Sequence, residues 1–299
     1  MNIRIISPSG AIAPQHIDAA KQRLTSWGHV VTEGRYTRGS WGRFAATDEQ
    51  RISDLNEAFA DPSVDAILCA RGGYGLQRII DKIHPTPKLV IGFSDITALH
   101  QLMHTIGVPS LHAIMCKHIA TLPEDSVALQ SFRKTLQEFA TSSFSLNSTL
   151  STPLNSPLYT LNSRPGLARG VLVGGNLSVL YGLQGTPYRL SAEGRSILFL
   201  EDIGERHYHI DRMMQNLRLS GVLANLSGLI VGQFTDCEED EGMHETIYET
   251  ILRAVADYDY PVLFDFPAGH VEDNRPLWLG KTIELEVTPN ISRVTYACE

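Results

Sequence analysis

The sequence lacks the features that mark disulfide-rich or zinc-binding proteins. It has only four cysteines among 299 residues, and no two of them stand in Cys-x-x-Cys spacing. Scattered cysteines of this kind favour reduced thiols in a cytoplasmic protein over a disulfide framework or a structural zinc site. The four are Cys69, Cys116, Cys237 and Cys298.

Clustered positive charge and long apolar runs are also missing. The formal net charge is −8 and no cluster of Lys and Arg stands out, which argues against nucleic acid or an anionic membrane as a partner. Residues 1–7 are typical of a first strand, because their apolar run is too short for a signal peptide and no cleavage site follows. No segment approaches the apolar length of a membrane span.

What the sequence does contain is the composition of an ordinary globular protein. Hydrophobic residues make up 43% of the chain and charged residues 19%, and the length is sufficient for two domains with a large core. In the first half, short apolar strand patterns alternate with helical patterns, which predicts an α/β fold with a parallel sheet and helices on both faces. The strands are predicted at 3–6, 29–32, 64–70, 89–92 and 109–112, and the helices at 15–27, from 47, at 76–83 and from 95.

A segment of different amino-acid composition separates the two halves of the chain. Residues 139–166 are rich in Ser, Thr, Asn and Pro and nearly uncharged, which predicts a linker. We therefore predict an N-terminal domain over 1–138 and a C-terminal domain over 167–299. The second half mixes strands and helices less regularly, with a helix predicted over 243–258 and a terminal β-hairpin over 283–287 and 292–297.

Ser94 stands at the corner between a predicted strand and a predicted helix. The apolar run 89–92 precedes it, and helical spacing of apolar residues begins after Asp95. A hydroxyl at such a corner is exposed at the carboxyl end of a sheet, followed by backbone N–H groups, which is how a nucleophilic serine is presented. A helix N-cap is the alternative for Ser94, since Ser is a common capping residue. This stretch alone leaves the two interpretations open.

Two further residues are candidates for assisting a nucleophile. His270 follows Gly269 directly after an apolar strand pattern, and a serine hydroxyl needs a base of this kind; a structural histidine is the alternative. Glu201 ends the apolar run 197–200, so it is partly buried and needs a partner. It could orient an imidazole, or it could form an ion pair with Arg206 or Arg212.

The pair Gly72-Gly73 predicts a close approach of the backbone to a ligand. With the N–H of Asp95, one of these amides could form an oxyanion hole. A phosphate cradle is the rival interpretation, but neither a G-x-G-x-x-G motif nor a P-loop is present. The acidic stretch 236–242 could hold a hard cation, but it lacks EF-hand spacing and is better interpreted as a solvated loop. We expect no metal and no cofactor.

Five short motifs follow one another over nearly the whole chain. They are 71–75 (RGGYG), 92–97 (GFSDIT), 174–176 (GGN), 200–202 (LED) with Glu205, and 269–270 (GH). Each motif is weak by itself, but the five in this order resemble the LD-carboxypeptidase family, in particular its cytoplasmic murein-tetrapeptide carboxypeptidases.

The resemblance implies a serine peptidase with Ser94 as nucleophile, His270 as base and Glu201 as the residue that orients the base. It also implies a Rossmann-like N-terminal domain, a smaller β-rich α/β C-terminal domain and a homodimer. The implied substrate is a muropeptide stem from which D-Ala is released during peptidoglycan recycling. The related microcin-immunity peptidases, which cleave peptidyl-nucleotide antibiotics, rank second because no added nucleotide-binding loop is evident.

Several residues are candidates for holding the peptide. The leaving group carries a carboxylate, for which Arg71 is a candidate cation, although Arg71 could instead pair structurally. Arg206 is a candidate for binding the other charges of the substrate. Asn176 is a plausible polar contact. The segment that begins at His112 is expected to line the site, although it departs from the His-Gly-Pro-Met of the family. A small-ligand binding protein without catalysis is the alternative from another functional class, and such a protein needs no Ser–Glu–His set.

Overall fold

The computed structural model describes residues 1–141, 163–190, 195–289 and 292–297. These residues form two compact units. The first contains 1–141 together with 272–279, and the second contains the remaining described residues. Most of the predicted linker, 142–162, lies outside the described residues. Of the predicted linker residues that are described, 139–141 belong to a helix, 163–165 lie outside any helix or strand, and Gly166 begins a strand.

The first unit is built on a six-stranded sheet in the order β10-β5-β4-β3-β1-β2. Five of its strands are parallel, as predicted, and β10 is antiparallel to β5. Strand β10 has no counterpart among the strands predicted from the sequence. The strands are β1 (Asn2–Ile6), β2 (Val30–Glu33), β3 (Ala66–Cys69), β4 (Leu89–Gly92), β5 (Ser110–His112) and β10 (Leu277–Leu279).

Five α-helices accompany this sheet: α1 (Pro14–Ser26), α2 (Asp48–Ala60), α3 (Thr97–Thr105), α4 (Cys116–Thr121) and α5 (Val127–Thr141). Helix α2 begins where it was predicted, and Thr47 and Gln50 form a capping box at its start. The prediction of a helix over 76–83 is wrong, because this stretch forms two short 3-10 segments, Leu76–Arg78 and Ile80–Lys82. It is only eight residues long and Pro85 closely follows it, so an α-helix has no room to propagate.

The second unit is built on another six-stranded sheet in the order β12-β11-β6-β7-β8-β9. Strands β6 to β9 are parallel, and β11 and β12 form the predicted terminal hairpin. The strands are β6 (Gly166–Asn176), β7 (Ser196–Ile203), β8 (Leu226–Thr235), β9 (Val262–Leu263), β11 (Thr282–Val287) and β12 (Ser292–Tyr296).

Three helices complete the second unit: α6 (Leu177–Leu183), α7 (His207–Leu219) and α8 (Ile247–Ala254). Helix α8 is shorter than the predicted 243–258, because a capping box of Thr246 and Glu249 sets its start. A buried apolar cluster packs between the parallel strands and these helices, and Leu198, Met214 and Ile251 are among its fully buried members. The predicted α/β fold class is confirmed, and each of the two units contains a six-stranded sheet with parallel strands.

Two composition-based expectations can be compared with the described residues. Cys69, Cys116 and Cys237 are free thiols, and the first two are buried; Cys298 lies outside the described residues. Among the helices of the described part of the chain, none is long and apolar enough to cross a membrane.

Candidate active site

Ser94 occupies the corner that the sequence predicted, in a conformation that few residues adopt. It follows β4 and begins a 3-10 turn, Ser94–Ile96, that leads into α3. Its φ is +67°, a left-handed value that costs of order 1–3 kcal/mol for a residue with a side chain. The N-cap alternative is wrong, because Phe93 and Ile96 hold the capping positions of the turn and the helix. A serine on a strained strand-to-helix corner is the arrangement of a nucleophile elbow.

A buried histidine, His100, is hydrogen-bonded to the end of β4. This residue was not among the site residues predicted from the sequence. His100 Nε2 lies 2.9 Å from the carbonyl oxygen of Gly92, and its Nδ1 lies 2.8 Å from Ser110 Oγ. Since a carbonyl only accepts, Nε2 carries the proton and Nδ1 accepts from the serine hydroxyl. Burial lowers the pKa of His100 to about 4, against the opposing effect of the Gly92 bond, so the ring is neutral at physiological pH. His100 lies within the helix predicted from Asp95 onward, and nothing in that local pattern indicates its contacts with Gly92 and Ser110.

Gly72 is packed against Ser94. A Cβ atom at position 72 would lie 2.8 Å from Ser94 Cβ and 3.0 Å from its Oγ, so a side chain here would displace the serine. The Gly72 carbonyl accepts a hydrogen bond from the N–H of Gly10 at 3.0 Å. Gly73 differs from it, because its φ is +110° and a Cβ there would meet only Gly10, at 3.7 Å or more. Gly72 is therefore the member of the pair that the backbone brings against Ser94.

The carboxylate of Asp95 lies in the interior of the first unit. Asp95 is 3% exposed and its Oδ2 accepts hydrogen bonds from Ser9 Oγ at 2.6 Å and from the Leu76 N–H at 3.0 Å. Burial raises the pKa of Asp95, while these two bonds and the charge of Arg51 act in the opposite direction. The side chain thus joins the Ser94 turn to two neighbouring loops.

In the second unit, Glu201 and His270 form a hydrogen-bonded pair. Nδ1 of His270 lies 2.8 Å from Oε2 of Glu201, and the carboxylate is completely buried. Gly269 permits this pairing, because a Cβ at its position would come within 3.0 Å of the Glu201 side chain. The alternative, in which Glu201 pairs with an arginine, is not what the structure shows. Nδ1 of the ring therefore faces the carboxylate, and Nε2 lies on the opposite side of the imidazole.

The charges around His270 favour its protonated form. Burial disfavours the imidazolium, but the hydrogen bond to Glu201 and the negative charges of Glu201 and Asp202 outweigh it and raise the pKa of His270. Asp202 is itself buried, and burial together with the charge of Glu201 raises its pKa to about 7. The pairing therefore stabilises the cation that a general base becomes after taking a proton.

Asn176 and Asp202 join the ends of β6 and β7. Asn176 Nδ2 donates to Asp202 Oδ1 at 2.9 Å, and its Oδ1 accepts from the Val179 N–H at 3.2 Å as the N-cap of α6. Asp202 Oδ2 accepts from the Ser178 N–H at 2.8 Å. The predicted polar residue Asn176 is thus 3% exposed and engaged with its own unit.

The other predicted substrate contacts differ in exposure. Arg71 is exposed and its Nη1 donates to the Ala11 carbonyl at 2.6 Å. Arg206 is exposed immediately before α7. His112 is fully buried, with its ring 5.8 Å from that of Phe93. It therefore supports the residue next to Ser94, and its ring has no surface to offer a ligand.

Metal binding finds no support in the part of the chain that the structure describes. There, no group of three or more His, Cys, Asp or Glu side chains is arranged to hold a metal ion. In the acidic loop 236–242, Asp240 accepts from the Gly242 N–H at 2.9 Å, and Glu239 accepts from the Ile247 N–H at 3.0 Å. These carboxylates cap backbone groups.

Comparison with known proteins places the chain in a family. A model of the LD-carboxypeptidase N-terminal domain matches residues 3–113, and a model of the LD-carboxypeptidase C-terminal domain matches residues 169–285. A murein tetrapeptide carboxypeptidase of Pseudomonas aeruginosa is 32% identical over 95% of this chain and 92% of its own. A probable murein peptide carboxypeptidase of Bacillus subtilis is 34% identical over 90% of this chain and 83% of its own.

Solved structures agree with this placement. The muramoyltetrapeptide carboxypeptidase from Oxalobacter formigenes superposes with a TM-score of 0.86 at 26% identity, covering 99% of each chain. The microcin C7 self-immunity protein MccF reaches a TM-score of 0.85 at 21% identity, covering 99% of this chain and 96% of its own; at that identity the likeness shows the fold alone. The chain therefore belongs to the LD-carboxypeptidase family, and the resemblance inferred from its motifs is confirmed. Family membership makes it a carboxypeptidase.

Proposed function

We propose that this protein is a serine LD-carboxypeptidase that releases C-terminal D-Ala from murein tetrapeptides. The observation that carries the proposal is the conformation of Ser94, which pairs a positive φ of +67° with a glycine backbone packed against the hydroxyl. Backbone strain at a partly exposed serine persists only where the surrounding structure holds the residue in place, and such residues cluster at active sites. Relatives named for murein peptides support the substrate class.

The proposed reaction is acyl transfer through Ser94. His270 Nε2 takes the proton of the Ser94 hydroxyl as the oxygen attacks the carbonyl carbon, and Glu201 stabilises the resulting imidazolium. The carbonyl oxygen becomes an oxyanion, which the N–H groups of Asp95 and of Gly72 or Gly73 stabilise. The C–N bond then breaks, and D-Ala leaves with a proton from His270.

Water completes the proposed cycle. His270, neutral again, takes a proton from a water molecule that attacks the acyl carbon, and the ester bond to Ser94 Oγ breaks with return of that proton. The products are the tripeptide and free enzyme. The carboxylate of the leaving D-Ala needs a cation, and the exposed Arg71 and Arg206 are the proposed residues, ahead of the engaged Asn176 and the buried His112.

The test is release of D-Ala from a tetrapeptide that carries diaminopimelate at position three. We expect the parent protein to release D-Ala and Ser94→Ala to lose several orders of magnitude in kcat. The rate acceleration that remains in the variant, from binding and the oxyanion hole, should be at most ~10³–10⁴-fold over the uncatalysed reaction in water. Circular dichroism and a binding assay for the peptide show that the variant is folded and still binds. Pure Ser94→Ala protein that works near the parent rate would exclude the proposal.

We further propose that the protein works in the cytoplasm as a homodimer, in keeping with the resemblance and the reduced cysteines. Cell fractionation and light scattering on the purified protein test the two statements separately. Recovery of the protein from an extracytoplasmic fraction, or a molecular mass near the 33.0 kDa of one chain at high concentration, would contradict them.

A further inference from the structure

We infer that the side chain of Asp95 is a positioning residue of the oxyanion hole, which holds the Gly72 loop against the Ser94 turn. This inference rests on the proposed function and deepens it. In that function Asp95 contributes its backbone N–H; the structure assigns its carboxylate a second task, fixing the loop that supplies the other N–H.

One carboxylate oxygen of Asp95 joins three segments of the first unit. Oδ2 accepts from Ser9 Oγ at 2.6 Å and from the Leu76 N–H at 3.0 Å. Ser9 lies in the loop between β1 and α1, and Leu76 directly follows the loop 71–75 that contains Gly72. Asp95 itself follows Ser94. Because both bonds end on the same oxygen, a change of that oxygen alters both loops at once.

A second connection holds the same two loops at another point. The N–H of Gly10 donates to the Gly72 carbonyl at 3.0 Å. Arg51, which is 1% exposed, donates through Nη1 to the Pro8 carbonyl at 2.5 Å and to the Gly75 carbonyl at 3.1 Å. The loop of Gly72 is thus bonded at both of its ends, and Asp95 is the member of this network that also belongs to the Ser94 turn.

The position of the loop 71–75 affects kcat, because its N–H group stabilises the negative charge of the transition state. A donor stabilises the oxyanion only when it lies at hydrogen-bond distance from the position that the charged oxygen takes. A displacement of about 1 Å can cost ~10²-fold in rate. The ground-state peptide is held by other groups, so loosening of the loop is expected to lower kcat far more than it raises KM.

A buried aspartate elsewhere in the unit serves as a matched control. Asp54 is also 3% exposed, its Oδ2 accepts the Tyr36 N–H at 2.9 Å, and burial raises its pKa as it does that of Asp95. It holds the connection between β2 and α2 and bonds to neither Gly72 nor Ser94. If the loss of any buried carboxylate lowered kcat, Asp54→Ala would therefore lower it as much as Asp95→Ala does.

The experiment compares kcat and KM for D-Ala release by the full chain in Asp95→Ala, Asp95→Asn and Asp54→Ala. We expect Asp95→Ala to lose ~10²-fold in kcat with KM within ~3-fold. Asp95→Asn should recover to within ~10-fold of the parent, because a carboxamide oxygen in the place of Oδ2 accepts both bonds without charge. Asp54→Ala should stay within ~3-fold of the parent kcat.

Three outcomes would overturn the inference. The first is an Asp95→Ala enzyme whose kcat is no lower than that of Asp54→Ala, and the second is an Asp95→Asn enzyme as slow as Asp95→Ala. If Asp95→Ala does not fold, Ser9→Ala serves in its place, because it removes one of the two hydrogen bonds to Asp95 and should lower kcat by ~10-fold. The third outcome that would overturn the inference is a Ser9→Ala enzyme with the kcat of the parent. An active Ser94→Ala enzyme would instead overturn the proposed function, so the two failures are distinguishable.

Discussion

At the scale of single residues, the environment of His270 sets the pH range in which it can act as a base. Its Nδ1 is bonded to the buried Glu201 carboxylate at 2.8 Å, and the resulting pKa of His270 lies above its ordinary value. The neutral, proton-accepting form is therefore lost at a higher pH than for a free imidazole, whose pKa is about 6.5.

We predict that kcat/KM falls as the pH decreases through the raised pKa of His270, with a midpoint above ~6.5. Glu201→Gln should move this acid limb to lower pH, because it removes the negative charge that stabilises the imidazolium. The measurement is kcat/KM from about pH 5 to pH 9, with the exposed Glu284 changed to Gln as the control for loss of a distant charge. A rate independent of pH between acid and neutral would remove His270 from this role.

A second prediction concerns the contact between Gly72 and Ser94. In Gly72→Ala the new methyl group would lie 2.8 Å from Ser94 Cβ, so the serine must move and the rate should fall by ~10²-fold or more. Gly34→Ala is a matched control, since its methyl group would come within 2.6 Å of the Ile6 and Asp54 side chains without touching Ser94. Both variants should lose stability in denaturant unfolding, and only Gly72→Ala should lose D-Ala release. Equal activity of the two would contradict this account.

At the scale of elements, the nucleophile corner depends on the strand and helix that it connects. The end of β4 is held through the Gly92 carbonyl, which accepts from His100 Nε2 at 2.9 Å and from the Ala113 N–H at 3.1 Å. The ring of His100 therefore joins α3 to β4 and, through Ser110, to β5. A buried neutral histidine in this place makes the corner sensitive to acid.

We predict that His100 makes the protein less stable as the pH falls. Its pKa is lowered to about 4 in the folded chain, whereas the unfolded chain binds the proton from about pH 6.5 downward, so stability is lost between these two values, by about 3 kcal/mol in total. His100→Gln removes the titrating group and should flatten the dependence of unfolding free energy on pH over this range. The exposed His84 changed to Gln should leave the slope as it is. An equal slope in parent and His100→Gln would exclude this role.

At the scale of the whole molecule, the chain returns to its first unit after most of the second has been built. Residues 272–279 belong to the first unit, where β10 pairs with β5. Trp278 is 3% exposed and its ring lies 5.6 Å from that of Phe139 in α5. A residue near the end of the sequence thus completes the core of the unit at its beginning.

We predict that Trp278→Ala destabilises the first unit by about 3–5 kcal/mol, because it empties a large buried volume beside α5. Hydrogen exchange should show the lost protection in α5 and β5. Trp41, which is 54% exposed, provides the control, and Trp41→Ala should change the unfolding free energy by less than about 0.5 kcal/mol. Protection of α5 unchanged in Trp278→Ala would contradict the placement of β10.

Features that depend on neighbouring residues could be predicted from the amino-acid sequence. The alternation of strands and helices, the capping box at Thr47, the terminal hairpin and the corner at Ser94 follow from periods of 2 and 3.6 and from turn residues. The order of five short motifs was sufficient to predict the family. The triad of Ser94, Glu201 and His270 as a whole stays a prediction.

Contacts between residues distant along the chain could not be predicted in this way and became visible only in the folded structure. The hydrogen bond between Glu201 and His270 joins positions 69 residues apart, the pairing of β10 with β5 crosses a whole unit, and the bond from Ser9 to Asp95 spans 86 residues. No local period encodes these contacts, because the order of strands in the sheet sets them. The positive φ of Ser94 belongs here too, since only the surrounding packing supplies the free energy that holds a strained residue in place.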